Sequence, residues 1–181
     1  QIPDPNSDIY ATEYSWDFAG LGTAQGPNAN FNFTSPGVYP ITLTQTIYEY
    51  FISEISVNVT GGWFPDIEEL TAVQNPEPYL RVNAGGSSDL VGQSSGNPSG
   101  TSQTWTGLSI AISDTTVSFN VFDEDTRTPI VGTQDDDLGT SIQTIIPTST
   151  NPNTSYGFSS SNFVGTYKVG RRVLQTTEFF D

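Results

Sequence analysis

Tyr39-Pro40-Ile41-Thr42-Leu43-Thr44-Gln45-Thr46-Ile47 decides the fold class. Its odd positions are mostly apolar and its even positions mostly polar, the period of a strand with one buried face. Phe51, Ile55, Val57 and Val59 repeat the pattern, with polar Ser53 breaking it. Tyr48-Glu49-Tyr50, lying between the two runs, reads as a hairpin turn. Upstream, Tyr14-Ser15-Trp16-Asp17-Phe18 is a short aromatic strand, and Ser35-Pro36-Gly37 is a turn signal. Downstream, Tyr79-Leu80-Arg81-Val82 reads as a strand, as do the alternations Leu108/Ile110/Ile112 and Val117/Phe119/Val121/Asp123. The stretch from Ile142 to Ile146 and the series Tyr167/Val169/Arg171/Val173 complete the set. Residues 83–103 and 147–161 are rich in Gly, Ser, Asn and Thr and read as long connections, the first a mobile loop. No helical periodicity interrupts these runs, so the chain is predicted to be all-β.

Composition agrees. The chain has 181 residues, with 20 acidic and 5 basic side chains, a net charge of −15, and no Cys, His or Met. Without Cys and His there is no disulfide framework, no thiol chemistry, no Ser-His or Cys-His nucleophile and no zinc site of the usual kind. So negative a chain would be repelled by phosphate backbones, so nucleic-acid binding is not expected. No apolar run approaches the roughly 20 residues of a membrane-spanning helix, so no membrane span is expected. Low lysine, an acidic balance and Ser/Thr-rich strands suit an exported protein. Gln1 is read as a mature N-terminus, and the expected location is extracellular or at the cell surface. Three Asn-x-Ser/Thr sequons start at Asn32, Asn58 and Asn153 and are read as coincidence in so Asn- and Thr-rich a sequence.

Gly61-Gly62 is the best boundary, which divides the chain into residues 1–61 and 62–181. In the first part Trp16-Asp17-Phe18-Ala19-Gly20, then Phe31-Asn32-Phe33, then Ser35-Pro36-Gly37-Val38-Tyr39, and finally Ile41-Thr42-Leu43-Thr44 follow one another in order. This series resembles PKD domains, immunoglobulin-like modules of secreted bacterial surface proteins. The resemblance implies a β-sandwich, with Trp16 and Phe18 plugging its core, and a role in spacing and protein contact. Only 15 residues precede Trp16, so the N-terminal strand of that sandwich is expected to be short or supplied in trans.

In the second part Glu77-Pro78-Tyr79-Leu80-Arg81-Val82, then Val121-Phe122-Asp123-Glu124-Asp125, then Asp135-Asp136-Asp137-Leu138-Gly139 resemble the calcium-dependent lipid-binding domains of the protein kinase C and synaptotagmin kind. That resemblance implies an eight-stranded sandwich and calcium as the bound cation. The basic lipid-facing cluster of those domains is missing here. The expected architecture is therefore two tandem β-sandwiches.

The chemistry of the acidic residues points the same way. Asp123 and Asp125 are two apart at a strand end, so their side chains leave on one face. Asp135 and Asp136 stand where the loop returns, and Asp66, Glu68, Asn75 or Glu77 are placed to complete a shell. Calcium takes six to eight oxygens, whereas magnesium demands a tight octahedron and keeps its waters. The candidate metal ligands are thus Asp123, Asp125, Asp135, Asp136, Glu77 and Asn75; the alternative is a solvated acidic loop. Of the other notable residues, Trp105 is expected to be partly in the core. Lys168, Arg171 and Arg172 either meet an acidic partner or balance carboxylates on an exposed face.

Paired carboxylates would be the only catalytic apparatus available, and nothing separates such a pair from the calcium cluster, so no enzyme is expected. The expected function is a non-catalytic adhesion or interaction protein that engages a protein or glycan surface and is stabilised by calcium. The alternative is a structural subunit that self-associates into an extracellular filament by β-strand addition, with Gln1–Ile9 or Thr176–Asp181 as the donor tail.

Overall fold

The computed structural model describes residues 10–62, 76–86, 88–92, 100–124, 135–145 and 151–180. Ten strands follow one another: β1 Tyr10–Phe18, β2 Thr23–Gln25, β3 Ile41–Val59, β4 Pro78–Asn83, β5 Ser88–Val91, β6 Ser102–Ala111, β7 Thr116–Asp123, β8 Asp136–Thr144, β9 Ser155–Ser159 and β10 Phe163–Phe180. Every pairing is antiparallel. One sheet runs β2-β1-β3-β10-β9, with β6 also on β3, and the other runs β5-β4-β7-β8. The chain is all-β, as its composition predicts.

The long strands β3 and β10 organise the molecule. Tyr48-Glu49-Tyr50 does not turn; it lies within β3. No Gly, Pro, Asn or Asp there offers turn geometry, and Tyr favours extended backbone. The phase break at Ser53 is a β-bulge: against β10, Glu54 pairs with Lys168 and Ile52 with Val169, which leaves Ser53 unmatched. An extra residue restores the inward direction, so Tyr50, Ile52, Ile55, Val57 and Val59 are all buried.

One edge of β3 carries β1 over its first half and β6 over its second, while β10 pairs along nearly its whole other edge, from Val59 with Phe163 to Thr42 with Phe180. Thr176–Phe180 is therefore not a loose tail. Its β-branched and aromatic residues favour a strand, and it pairs with Thr42–Thr46. One edge of the first half of β3 is thus paired by the far end of the same chain. Gly61 and Gly62 follow the end of β3, yet the sheet draws its strands from both sides of them.

The two ends of this sheet bury opposite faces. On the first half of β3, Ile41, Leu43 and Ile47 share a face with Phe18, Trp16 and Thr12 of β1. Phe18 stacks on Phe31, Phe31 meets Phe33 edge-on, and Phe33 stacks on Tyr39, so the segment between β2 and β3 lays its rings over that face. Trp16 and Phe18 thus anchor an aromatic cluster on a single layer of sheet, with Phe18 buried and Trp16 half-buried. On the second half of β3 the opposite face is buried, and the four-stranded sheet covers it.

The sandwich core unites inward rows from both layers. β7 contributes Val117, Phe119 and Val121; β4 gives Leu80 and Val82; β10 gives Phe163, Tyr167 and Val169. Phe119 stacks on Phe158 with ring centroids 4.2 Å apart, and Tyr167 lies 5.0 Å away. Trp105 packs against this core while half-buried. The expected connections also hold strands: β5 lies within 83–103 and β9 within 147–161. β8 begins at Asp136, earlier than the apolar run Ile142–Ile146 implied, because Leu138 is its principal core residue.

Candidate functional site

The four-stranded sheet ends in acid. Residues of β7 alternate between buried and half-buried, and the inward row Val117, Phe119, Val121 finishes on Asp123. A carboxylate thus occupies a core-facing position, with the residue only 4 % exposed. Burying it is costly unless it is hydrogen-bonded, and its Oδ1 accepts the Glu77 backbone N–H at 2.6 Å. The Glu124 N–H in turn donates to the Glu77 carbonyl at 3.1 Å. Across the sheet Asp123 stands opposite Pro78 on one side and Asp136 on the other.

A bulge selects Asp136 for that position. Val121 pairs with Gly139, but Phe122 pairs with Asp137, so Leu138 is the extra residue. Leu138 turns into the core and is fully buried. Gly139 holds φ at +116° and comes so close to Ser160 that a Cβ would lie 2.5 Å from its Oγ. Only glycine accepts both conditions without strain. The Gly139 N–H donates to Asp137 Oδ1 at 2.9 Å, which closes the turn. Without the bulge, Asp137 would face Asp123.

Asp135 is held differently. The Tyr79 hydroxyl donates to its Oδ2 at 2.7 Å, and the Tyr79 ring stacks on Phe122 at 5.1 Å, with the Arg81 guanidinium 5.7 Å from the Phe122 centroid. Burial raises the Tyr79 hydroxyl well above its ordinary pKa, and the Asp135 carboxylate adds to the shift. Of the six sequence-derived candidates, the structure therefore brings Glu77, Asp123 and Asp136 to one strand-end corner, with Asp135 tied to Tyr79 nearby. Asp125 and Asn75 lie outside the described residues, as do Asp66 and Glu68. Among the described residues alone, no three acidic side chains converge as a metal-binding group.

The basic residues of β10 balance carboxylates. Lys168 Nζ lies 2.9 Å from Glu54 Oε1. Arg171 donates to Glu13 Oε1 at 2.7 Å and stacks over Tyr48, 4.4 Å from its centroid, while the Tyr48 hydroxyl donates to Glu13 Oε2 at 3.0 Å. The Glu13 hydrogen bond raises the Arg171 pKa. Arg172 donates through Nε to Glu49 and through Nη1 to Ser109 Oγ at 3.0 Å. Exposed pairs of this kind contribute about 0.2–1 kcal/mol each, so they orient β10 on β3 rather than hold it there. On the outer face of the same sheet, a groove of about 290 Å³ runs between Ser56, Asn58, Ser102, Thr104, Val164 and Thr166. Ser56 and Thr104 hydroxyls are 2.8 Å apart, and Ser102 donates to Asn58 Oδ1 at 2.7 Å.

No protein-family model, curated protein or solved structure matches this chain.

Proposed function

We propose that the chain is a non-catalytic, extracellular or cell-surface interaction module that engages a protein or glycan surface, with calcium stabilising the acidic end of its four-stranded sheet. One observation carries this reading: Asp123 continues the core-facing row of β7 and stands in register with Asp136. Like charges directly opposite on a sheet destabilise it, and a hard divalent cation removes that cost. The donor set fits such an ion, since the candidate ligands offer oxygen alone. Glu77, Asp123 and Asp136 supply part of a shell of six to eight oxygens, with Asp125 and Asn75 as the further candidates.

Thermal melts in EDTA, in millimolar calcium and in millimolar magnesium test the reading. Extracellular calcium modules bind at about 10⁻⁴–10⁻³ M. At ten times Kd the cation contributes about 1.4 kcal/mol, which raises Tm by about 3–6 °C in a chain of this size. Calcium alone should produce the rise, and the double variant Asp123→Asn/Asp125→Asn should lose it. No shift with calcium sinks the proposal and returns the acidic residues to a solvated loop.

A further inference from the structure

The outer edge of β10 changes character along its length. β9 covers it from Val164 to Lys168, and the Asn153 N–H donates to the Val169 carbonyl at 2.8 Å. From Gly170 to Phe180 no described strand pairs with that edge, although β3 holds the other one. At about 3.3 Å per residue this is about 35 Å of edge without a described partner strand. Soluble proteins blunt such edges with charge, proline or bulges. Here the first part is blunted by Arg171, Arg172 and the bulge between Val173 and Gln175. The second part, Gln175-Thr176-Thr177-Glu178-Phe179-Phe180, is in unbroken register with β3, contains no proline and carries one charge. Four apolar side chains stand exposed along the edge: Val173, Leu174, Phe179 and Phe180, the last 74 % exposed.

We infer that this edge pairs with the same edge of a second copy of the chain, antiparallel and about a twofold axis. Charge is the reason for that occupant. Two copies at −15 each repel one another over most of their surface. At this edge Arg171 and Arg172 stand against Glu13, Glu49 and Glu178, a local balance of 2 − 3 = −1. Three of the five basic residues of the chain lie in β10. Antiparallel pairing brings Glu178 of one copy toward the Arg171–Arg172 end of the other, whereas parallel pairing sets arginines beside arginines. An edge that recognises itself closes the assembly at two copies. The pairing lies in the six-stranded sheet and does not depend on calcium at the other one.

Sedimentation equilibrium of the 181-residue chain from about 1 μM to about 500 μM tests this, since an edge interface of this size should dissociate within that range. A monomer–dimer equilibrium is expected. Phe180→Lys and Leu174→Lys should each raise the dimer dissociation constant more than tenfold, with thermal melts unchanged. Leu21→Lys, at an exposed apolar residue between β1 and β2, should leave it unaltered. A monomer throughout the range overturns the inference, and so does a dimer that responds to Leu21→Lys as strongly as to Phe180→Lys. Regular filaments in negative stain also overturn it and point to strand addition by a terminal tail.

Discussion

Asp123 and Asp136 face each other across the β7–β8 pair, two carboxylates in one cross-strand position at the end of a buried row. Their placement sets a balance that substitutions can resolve. In EDTA, Asp136→Asn should raise stability by up to about 1 kcal/mol by removing a like-charge pair. Asp123→Ala should lower it by about 1–3 kcal/mol, because the Glu77 N–H then loses its acceptor. Urea unfolding of both variants reads these opposite signs, and equal destabilisation by the two would refute the electrostatic account.

The bulge that positions Asp136 depends on Gly139. Gly139→Ala forces an L side chain to φ +116° and against Ser160. A cost of about 1–3 kcal/mol is expected, together with a reduced calcium response, since the register of Asp136 shifts. Gly107→Ala is the control: φ there is +70°, but a Cβ would meet nothing within 4 Å. It should cost about 1 kcal/mol and leave the calcium response intact.

The C-terminal half of β10 supports the first half of β3. Deleting Gln175–Asp181 should expose the β3 edge from Thr42 to Ile47 and open the row Trp16–Leu43–Phe179 on one side. Amide hydrogen exchange along Thr42–Ile47 is expected to accelerate by orders of magnitude while Val117–Val121 in the sandwich core stays protected. Unchanged protection at Thr42–Ile47 would mean that this half of the sheet stands without its outer strand.

Alkaline pH should weaken the fold. Burial, with a contribution from Tyr156, pushes the Tyr167 hydroxyl up to about 12 from 10.0. Burial raises Tyr79, Tyr50 and Tyr48 as well. Above pH 10 the unfolded chain releases protons that the folded chain retains, so unfolding becomes easier as pH rises. The stabilisation is complete below pH 10 and is lost through pH 12, a change on the order of 2 kcal/mol from Tyr167 alone. Urea midpoints across that interval should fall, and Tyr167→Phe should flatten the slope.

Much of the local structure was legible in the chain. Alternation located β1, β4 and β7 and the first half of β3, and it marked Asp123 as the last member of an apolar row. Asp135-Asp136-Asp137-Leu138-Gly139 stands out in the sequence as a unit, but its bulge and the inward turn of Leu138 do not. Ser53 is a visible fault in the alternation, but a period of two by itself does not distinguish a bulge from a strand break. Tyr48-Glu49-Tyr50 reads as a turn only because it lies between two alternating runs. β3 instead buries Ile47 on one face and Tyr50 and Ile52 on the other.

By itself the sequence determined the all-β class, the strand-forming runs, the exclusion of thiol and histidine chemistry and the gathering of acid around residues 123–137. These are properties of composition and of neighbouring residues, which set backbone preference and the face each side chain takes. Only the tertiary structure decided that β10 pairs with β3 from Phe163 to Phe180, that the two ends of one sheet bury opposite faces, and that Asp136 rather than Asp137 confronts Asp123. Each of those depends on which distant segment supplies a hydrogen-bonding edge and in what register. Residues more than a hundred positions apart meet only through burial and pairing of the whole chain, and no local period encodes that choice.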